Sequence, residues 1–155
     1  MKADVLVIGA GAVGCSITRE LTKYKLSVIT VDKNPDVGGL ASKSNSAIIH
    51  TGYDATPGSL ESELVVAANP MYDQIAADLD VPFMRIGALL PAITDEQFGM
   101  LPILKEKAFK NGVHDVEYLS REKIKEMEPN ITDEVRGGLY IPRESIIDPF
   151  LLVVG

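Results

Sequence analysis

The first third of the chain shows a clear change between apolar runs and small or polar residues. An apolar run at residues 5–8 leads into a glycine-rich segment at residues 9–14, and a second apolar run at residues 28–31 ends on Asp32. Between the two runs, apolar residues recur at helical spacing, at Ile17, Leu21 and Tyr24. Short apolar runs predict strands, and a period near 3.6 predicts a helix. The pattern therefore predicts a strand–helix–strand unit of the α/β class.

The segment Gly9-Ala10-Gly11-Ala12-Val13-Gly14 has the spacing of a dinucleotide-binding turn. The first glycine permits the tight turn, the second lets backbone approach a pyrophosphate, and the third allows close helix packing. The helix that follows presents N–H groups and a partial positive charge to phosphate. Asp32 stands near the expected offset of about 20 residues, where a carboxylate binds ribose hydroxyls and repels the 2′-phosphate of NADP. A tight turn without a ligand is the alternative.

The remaining pattern predicts further helices and strands. Apolar spacing predicts a helix over residues 57–77 with a break at Pro70, and places Met71 and Tyr72 in the core. Thr94 and Gln97 predict a capping box at the start of a helix that reaches about Lys110. The other predicted segments are extended residues 81–92, a strand at 116–119, a helix at 121–127, a strand at 139–141 and an apolar stretch at 150–154.

Composition narrows the class of protein. The 155 residues suffice for about one domain, and the net charge of −7 without a basic cluster disfavours nucleic acid as a partner. The single cysteine, Cys15, excludes an internal disulfide and is interpreted as a small packed residue, with a reactive thiol as the alternative. We expect no metal site and no membrane span, and the cytoplasm is the default location.

Four stretches together resemble the FAD-dependent oxidoreductases of the D-amino-acid-oxidase type. They are residues 5–14 with 32–34, residues 42–53, residues 57–60, and residues 138–142 with 147–149. The second stretch is the most specific, and within the family the chain is most similar to the branches that oxidise glycerol 3-phosphate and L-2-hydroxyglutarate. The resemblance implies an FAD-dependent dehydrogenase or oxidase that takes hydride from a small hydroxy substrate, such as glycerol 3-phosphate or a 2-hydroxy acid.

The resemblance also implies a fold and a domain division. It predicts an incomplete Rossmann-like FAD-binding domain at residues 1–80, the start of a mixed α+β substrate domain at 81–145, and a return toward the FAD domain at 146–155. Because family members run to several hundred residues, the chain is expected to be an N-terminal fragment that is inactive by itself. Open sheet edges would then favour self-association or a partner subunit.

The resemblance assigns roles to particular side chains. The residues implied to bind FAD are Gly9, Ala10, Gly11, Ala12, Val13, Gly14, Asp32, Lys33, Ser42, Asn45, Ser46 and His50. His50 is the predicted catalytic residue because imidazole exchanges protons near neutral pH; a purely structural histidine is the alternative. Arg85 and Arg143 are weaker candidates for binding a substrate anion, and His114 is expected in a surface loop.

Two other functions stay open at this point. One is an NAD-dependent dehydrogenase, which the stretch at residues 42–53 disfavours because NAD folds do not require it. The other is a catalytically silent nucleotide-binding fragment or subunit that needs a partner chain.

Overall fold

The computed structural model describes residues 2–155, which divide into two compact units. The first contains residues up to 47 with 75–82 and 147–155, and the second contains residues 48–74 and 83–146. In chain order the elements are β1 (Val5–Ile8), α1 (Ala12–Leu21), β2 (Val28–Val31), β3 (Ile48–Ile49), α2 (Leu60–Ala68), a 3₁₀ turn (Asn69–Met71), α3 (Tyr72–Asp78), β4 (Phe83–Met84), β5 (Ala88–Ala92), α4 (Asp95–Lys110), β6 (Glu117–Ser120), α5 (Arg121–Met127), β7 (Gly137–Ile141), β8 (Ser145–Ile147) and α6 (Leu151–Val154).

The first unit contains the predicted strand–helix–strand arrangement. Strands β1 and β2 are parallel, with Val5 opposite Val28 and Ile8 opposite Val31. Parallel neighbours require a crossover, and α1 supplies it. The α/β prediction is therefore confirmed, although Tyr24 lies beyond the end of the helix it was expected to join.

The second unit is built on an antiparallel sheet of order β5-β7-β6, in which Leu139 lies opposite Leu90 and Tyr118. The core of this unit consists of fully or almost fully buried residues from the sheet, from α4 and from the loop after α4: Ala92, Leu101, Ala108, Val113, Val116, Leu139 and Ile141. A separate small sheet has the order β3-β8-β4, and Ile48 pairs with Ile146 in it.

Local sequence signals explain where several elements begin and end. The Thr94 hydroxyl accepts a hydrogen bond from the N–H of Gln97, and the Gln97 side chain accepts one from the N–H of Thr94, which confirms the capping box. The predicted break at Pro70 is confirmed by the 3₁₀ turn between α2 and α3. Gly87, with a φ of +71°, interrupts the extended stretch between β4 and β5. Only glycine fits there, because a Cβ would also meet the Tyr140 ring.

One core prediction is wrong. Met71 is 57% exposed, although continuous helical spacing placed it inside. The exposure does not begin at the 3₁₀ turn, because Leu60 and Leu64 of α2 are also exposed, at 69% and 59%. Helical spacing therefore identified the helix here but not a buried face. Tyr72 is partly buried and stacks on Phe83, with ring centroids 6.5 Å apart.

Candidate functional site

The glycine turn after β1 has the shape that its sequence predicts, and the three glycines differ in what a side chain would meet there. Gly9 has a φ of +107° and open space around it, so its requirement is conformational. A Cβ on Gly14 would lie 1.8 Å from the Gly9 carbonyl oxygen, so only glycine allows α1 to start this close to the turn. A Cβ on Gly11 would lie 3.0 Å from the Ser42 hydroxyl oxygen.

The N-terminus of α1 is suited to an anion. Its N-cap residue, Gly11, has no side chain, and no acidic residue occupies the first turn. The N–H of Ala12 donates to the Ser42 hydroxyl over 2.9 Å, which ties the segment at residue 42 to the start of the helix. The Ala10 carbonyl in turn accepts the N–H of Gly38 over 2.7 Å. Backbone N–H groups and the helix dipole therefore face a position bordered by a neutral hydroxyl.

Asp32 is the acidic residue of this site. Its Oδ2 accepts the N–H of Ala10 over 2.7 Å and its Oδ1 accepts the N–H of Asn34 over 2.8 Å. These hydrogen bonds, the one from Ala10 first, lower the pKa of the Asp32 carboxyl. The side chain is exposed and ionised at neutral pH, so each oxygen retains a lone pair for an outside donor. Ribose hydroxyls are donors of the right kind.

Asn45 shapes the loop that follows. Its Nδ2 donates to the carbonyls of Ala41 and Ser42, over 3.1 and 3.0 Å, and its Oδ1 accepts the N–H of Ala47 over 2.8 Å. Ala47 has a φ of +62°, which a non-glycine residue adopts at a cost. The amide thus stabilises a strained turn. The predicted FAD-binding residues Val13, Lys33 and Ser46 are exposed and belong to the same unit.

His50 lies in the second unit and has a partner that the sequence did not reveal. Its Nδ1 is 3.1 Å from Oε2 of Glu144, which is buried. The other carboxylate oxygen, Oε1, accepts the N–H and the hydroxyl of Thr51, over 2.7 and 2.9 Å. The His50 side chain is 54% exposed. Glu144 carries no motif, and only the pairing of β3 with β8 brings it near His50.

The two arginine candidates already have carboxylate partners within the second unit. Arg143 Nε and Nη2 donate to Asp115 over 2.7 and 2.8 Å, and this pair lowers the pKa of Asp115 and raises that of Arg143. Arg85 Nε donates to Asp73 over 3.0 Å. Both guanidinium groups therefore act as internal crosslinks, which favours a structural role; binding of a substrate anion by either arginine stays an untested prediction.

Cys15 and His114 have surroundings that are typical of packed or surface residues. Burial, with the Asp32 charge second, raises the pKa of the Cys15 thiol, which favours a packed thiol over a reactive thiolate. His114 is exposed and packs edge-on against Phe109, with ring centroids 4.3 Å apart. Across residues 2–155, no helix has the length and apolarity to cross a membrane, and no three metal-binding side chains cluster.

The geometry of the first unit fits a dinucleotide. Glycines leave the turn free of side chains, the start of α1 has no cap from its own N-cap residue, and Asp32 offers a carboxylate. The structure brings the turn residues, Asp32, Ser42 and Asn45 together in one unit, with His50 in the other.

Comparison with known proteins gives a consistent result. The chain is 48% identical over 147 residues to a glycerol 3-phosphate dehydrogenase of Caloramator mitchellensis, which covers 95% of this chain and 31% of that protein. It is 33% identical over 151 residues to an L-2-hydroxyglutarate dehydrogenase of Caenorhabditis elegans, covering 95% of this chain and 34% of that protein. The chain thus spans about a third of the length of these relatives.

A solved structure agrees with the sequence relatives. L-α-glycerophosphate oxidase from Mycoplasma pneumoniae, with FAD bound, superposes with a TM-score of 0.91 at 30% identity, over 99% of this chain and 41% of that one. Residues 4–155 match the family described as FAD dependent oxidoreductase. FAD is therefore the cofactor of this family, which decides between the two cofactors that the sequence left open. The chain belongs to the D-amino-acid-oxidase family of FAD-dependent oxidoreductases.

Proposed function

We propose that this chain binds the ADP part of FAD through its first unit and that the whole protein oxidises a small hydroxy substrate. The observation that carries the proposal is the glycine turn, where Gly14 packs on the Gly9 carbonyl and Asp32 accepts the N–H of Ala10. The 48% identity to a glycerol 3-phosphate dehydrogenase supports glycerol 3-phosphate as the first substrate to test, and the similarity to L-2-hydroxyglutarate dehydrogenases supports a 2-hydroxy acid as the second.

Each group in the first unit has a defined part in binding. The N–H groups at the start of α1 donate to the pyrophosphate, and Gly11 keeps that approach free of a Cβ. Asp32 accepts hydrogen bonds from the adenosine ribose. Ser42 holds the N-terminal end of α1 in place, and Asn45 fixes the loop that contains Ser46.

The chemistry divides between cofactor and protein. When bound, FAD supplies the acceptor for the substrate hydride. His50 accepts the proton of the substrate hydroxyl, which is general-base catalysis by a side chain that is half exposed and has its Nδ1 3.1 Å from Glu144 Oε2.

Flavin retention tests the first part of the proposal. The purified chain is mixed with FAD, passed through a desalting column and examined for flavin absorbance. We expect retained flavin in wild type and a dissociation constant at least about tenfold higher in Gly11→Ala, which corresponds to about 1.4 kcal/mol. Gly99→Ala is the matched control, since Gly99 lies in α4 with open space around its Cβ position.

The outcomes separate the competing functions. Retention of NAD in place of FAD would contradict the proposal that this site binds FAD. A folded chain that retains neither nucleotide would contradict cofactor binding by this chain. Binding of FAD without oxidation of either substrate by the whole protein would support the silent subunit.

The remaining features stay predictions. Open edges of the two-stranded β1–β2 sheet support self-association or a partner subunit, which sedimentation would test. The domain boundaries near residues 80 and 145 are tested by limited proteolysis, and the cytoplasmic location by cell fractionation.

A further inference from the structure

Glu144 is a buried carboxylate with a defined set of donors. Its side chain is only 4% exposed, and Thr51, which is fully buried, supplies two of the donors from its N–H and its hydroxyl. Both Thr51 donors bind the same oxygen, Oε1, so the carboxylate has one orientation. The second oxygen, Oε2, is then left facing His50 Nδ1 at 3.1 Å.

A buried carboxylate oxygen without a donor is costly, so Oε2 requires a hydrogen from its neighbour. A neutral imidazole carries its hydrogen on only one nitrogen. If that hydrogen is on Nδ1, Oε2 accepts it and Nε2 has a free lone pair. If it is on Nε2, two lone pairs face each other between Nδ1 and Oε2, which is repulsive.

The buried side chain of Asn69 fixes the main chain next to both members of the pair. The Asn69 side chain is almost fully buried, and its Nδ2 donates to the carbonyl of His50 over 3.1 Å and to that of Arg143 over 3.2 Å. One amide thus joins the backbone on both sides of the His50–Glu144 pair. Three other groups lie near the pair. The guanidinium of Arg143 binds Asp115, and that of Arg85 donates to Asn69 Oδ1 and to the Arg143 carbonyl. Burial raises the pKa of the Tyr53 phenol, which stays neutral.

We propose that Glu144 is a positioning residue that holds neutral His50 as the Nδ1–H tautomer, so that Nε2 is the proton-accepting atom. The use of Nε2 in catalysis rests on the proposed function, whereas the tautomer does not. In the reaction, the substrate O–H bond breaks and its proton goes to Nε2, while the C–H bond breaks and its hydride, with both electrons, goes to FAD. The carbonyl forms, and the resulting imidazolium lies against the Glu144 carboxylate.

The tautomer is measured directly by NMR. In the ¹⁵N-labelled chain, at a pH where both imidazoles are neutral, ring nitrogen shifts distinguish a protonated from an unprotonated nitrogen. We expect His50 to show a protonated Nδ1 and an unprotonated Nε2. A wild-type His50 with its hydrogen on Nε2 would overturn the proposal, whatever the variants do.

Glu144→Gln reverses the expected pattern without changing the side-chain size. Thr51 presents two donors, so the amide oxygen faces Thr51 and the amide NH₂ faces His50. Nδ1 must then accept, and the hydrogen moves to Nε2. The shifts of His114 are the internal reference, and Glu117→Gln is the matched control because Glu117 is exposed on β6.

The variant results distinguish this inference from the proposed function. An unchanged His50 tautomer in folded Glu144→Gln would overturn the positioning role. If that variant does not fold, Glu144→Asp draws the carboxylate away from Nδ1, and an unchanged His50 spectrum would count against the proposal in the same way.

The effect of Glu144 on catalysis is measured in the whole enzyme. We expect Glu144→Gln to lower kcat by about 10² or more, the scale of general-base catalysis, with KM and flavin retention near wild type. A changed tautomer with unchanged kcat would leave the positioning role standing and would overturn the use of His50 as the base.

Discussion

The two units of this chain are stabilised in different ways. In the second unit, Leu139 and Ile124 are completely buried. In the first unit, Ile8 of β1 is 82% exposed, and none of the described residues of α1 is buried. The first unit buries fewer large side chains than the second, and its glycine turn is fixed by backbone conformation and hydrogen bonds. The comparison shows that the turn depends on glycine geometry, whereas the sheet of the second unit depends on side-chain packing.

The largest difference is expected from deleting core side chains. Leu139→Ala should lower the free energy of unfolding by about 2–5 kcal/mol, because it leaves a cavity in a fully buried position. Ile8→Ala should change it by about 0.5 kcal/mol or less, because Ile8 is mostly in solvent. Urea unfolding of both variants measures this. Equal losses of unfolding free energy in the two variants would contradict the difference in packing between the units.

A second test adds a methyl group where the first unit has no space. Gly14→Ala should destabilise β1 and α1 by about 1–3 kcal/mol, because the new Cβ meets the Gly9 carbonyl. Hydrogen exchange should show lost protection in those two elements. Gly99→Ala, in an open helical position, should be neutral or slightly stabilising, and equal protection in the two variants would contradict the packing argument.

A third test removes a helix cap in the second unit. Thr94→Ala should cost about 1 kcal/mol, because the N–H of Gln97 loses its acceptor at the start of α4. The control is Thr56→Ala, at an exposed position. Thermal unfolding followed by circular dichroism compares the two, and a larger effect at Thr56 would refute the cap.

The smallest effect concerns acid stability of the Asp115–Arg143 pair. The hydrogen bond from Arg143 lowers the pKa of Asp115 in the folded protein below its ordinary value of 3.8. The pair's contribution is therefore present above 3.8 and is lost as the pH falls through the folded value. Since both side chains are about one-third exposed, we expect less than about 1 kcal/mol.

The measurement is the free energy of unfolding at pH 7 and near pH 3 for wild type and Asp115→Asn. The difference between the two proteins should shrink at the lower pH. A constant difference would show that the charge of Asp115 contributes nothing to folding.

Local features were predictable because neighbouring residues determine them. The turn at residues 9–14 depends on which positions lack a Cβ, and the capping box depends on two residues three positions apart. Pro70 lacks a backbone N–H, so the helix break was readable as well. Met71 was misplaced because apolar residues at helical spacing do not by themselves show that a face is buried: Leu60 and Leu64, on the helix before it, are exposed as well.

Partners from distant parts of the chain were not predictable. Arg143 and Asp115 each resemble any surface charge in the sequence, and only the fold makes them a pair. Glu144 has no signal of its own, since its contact with Thr51 joins positions 93 residues apart.

The sequence alone determined the strand–glycine turn–helix–strand unit, the acidic residue at its end and the identity of His50 as a candidate base. The tertiary structure decided which groups bind to one another: Asp32 to the N–H of Ala10, the arginines to internal carboxylates, and Glu144 to His50. The physical reason is the distance along the chain over which each interaction acts. Steric limits on φ and missing N–H groups act within a few residues, whereas a hydrogen bond between strands depends on their pairing, which the whole chain fixes.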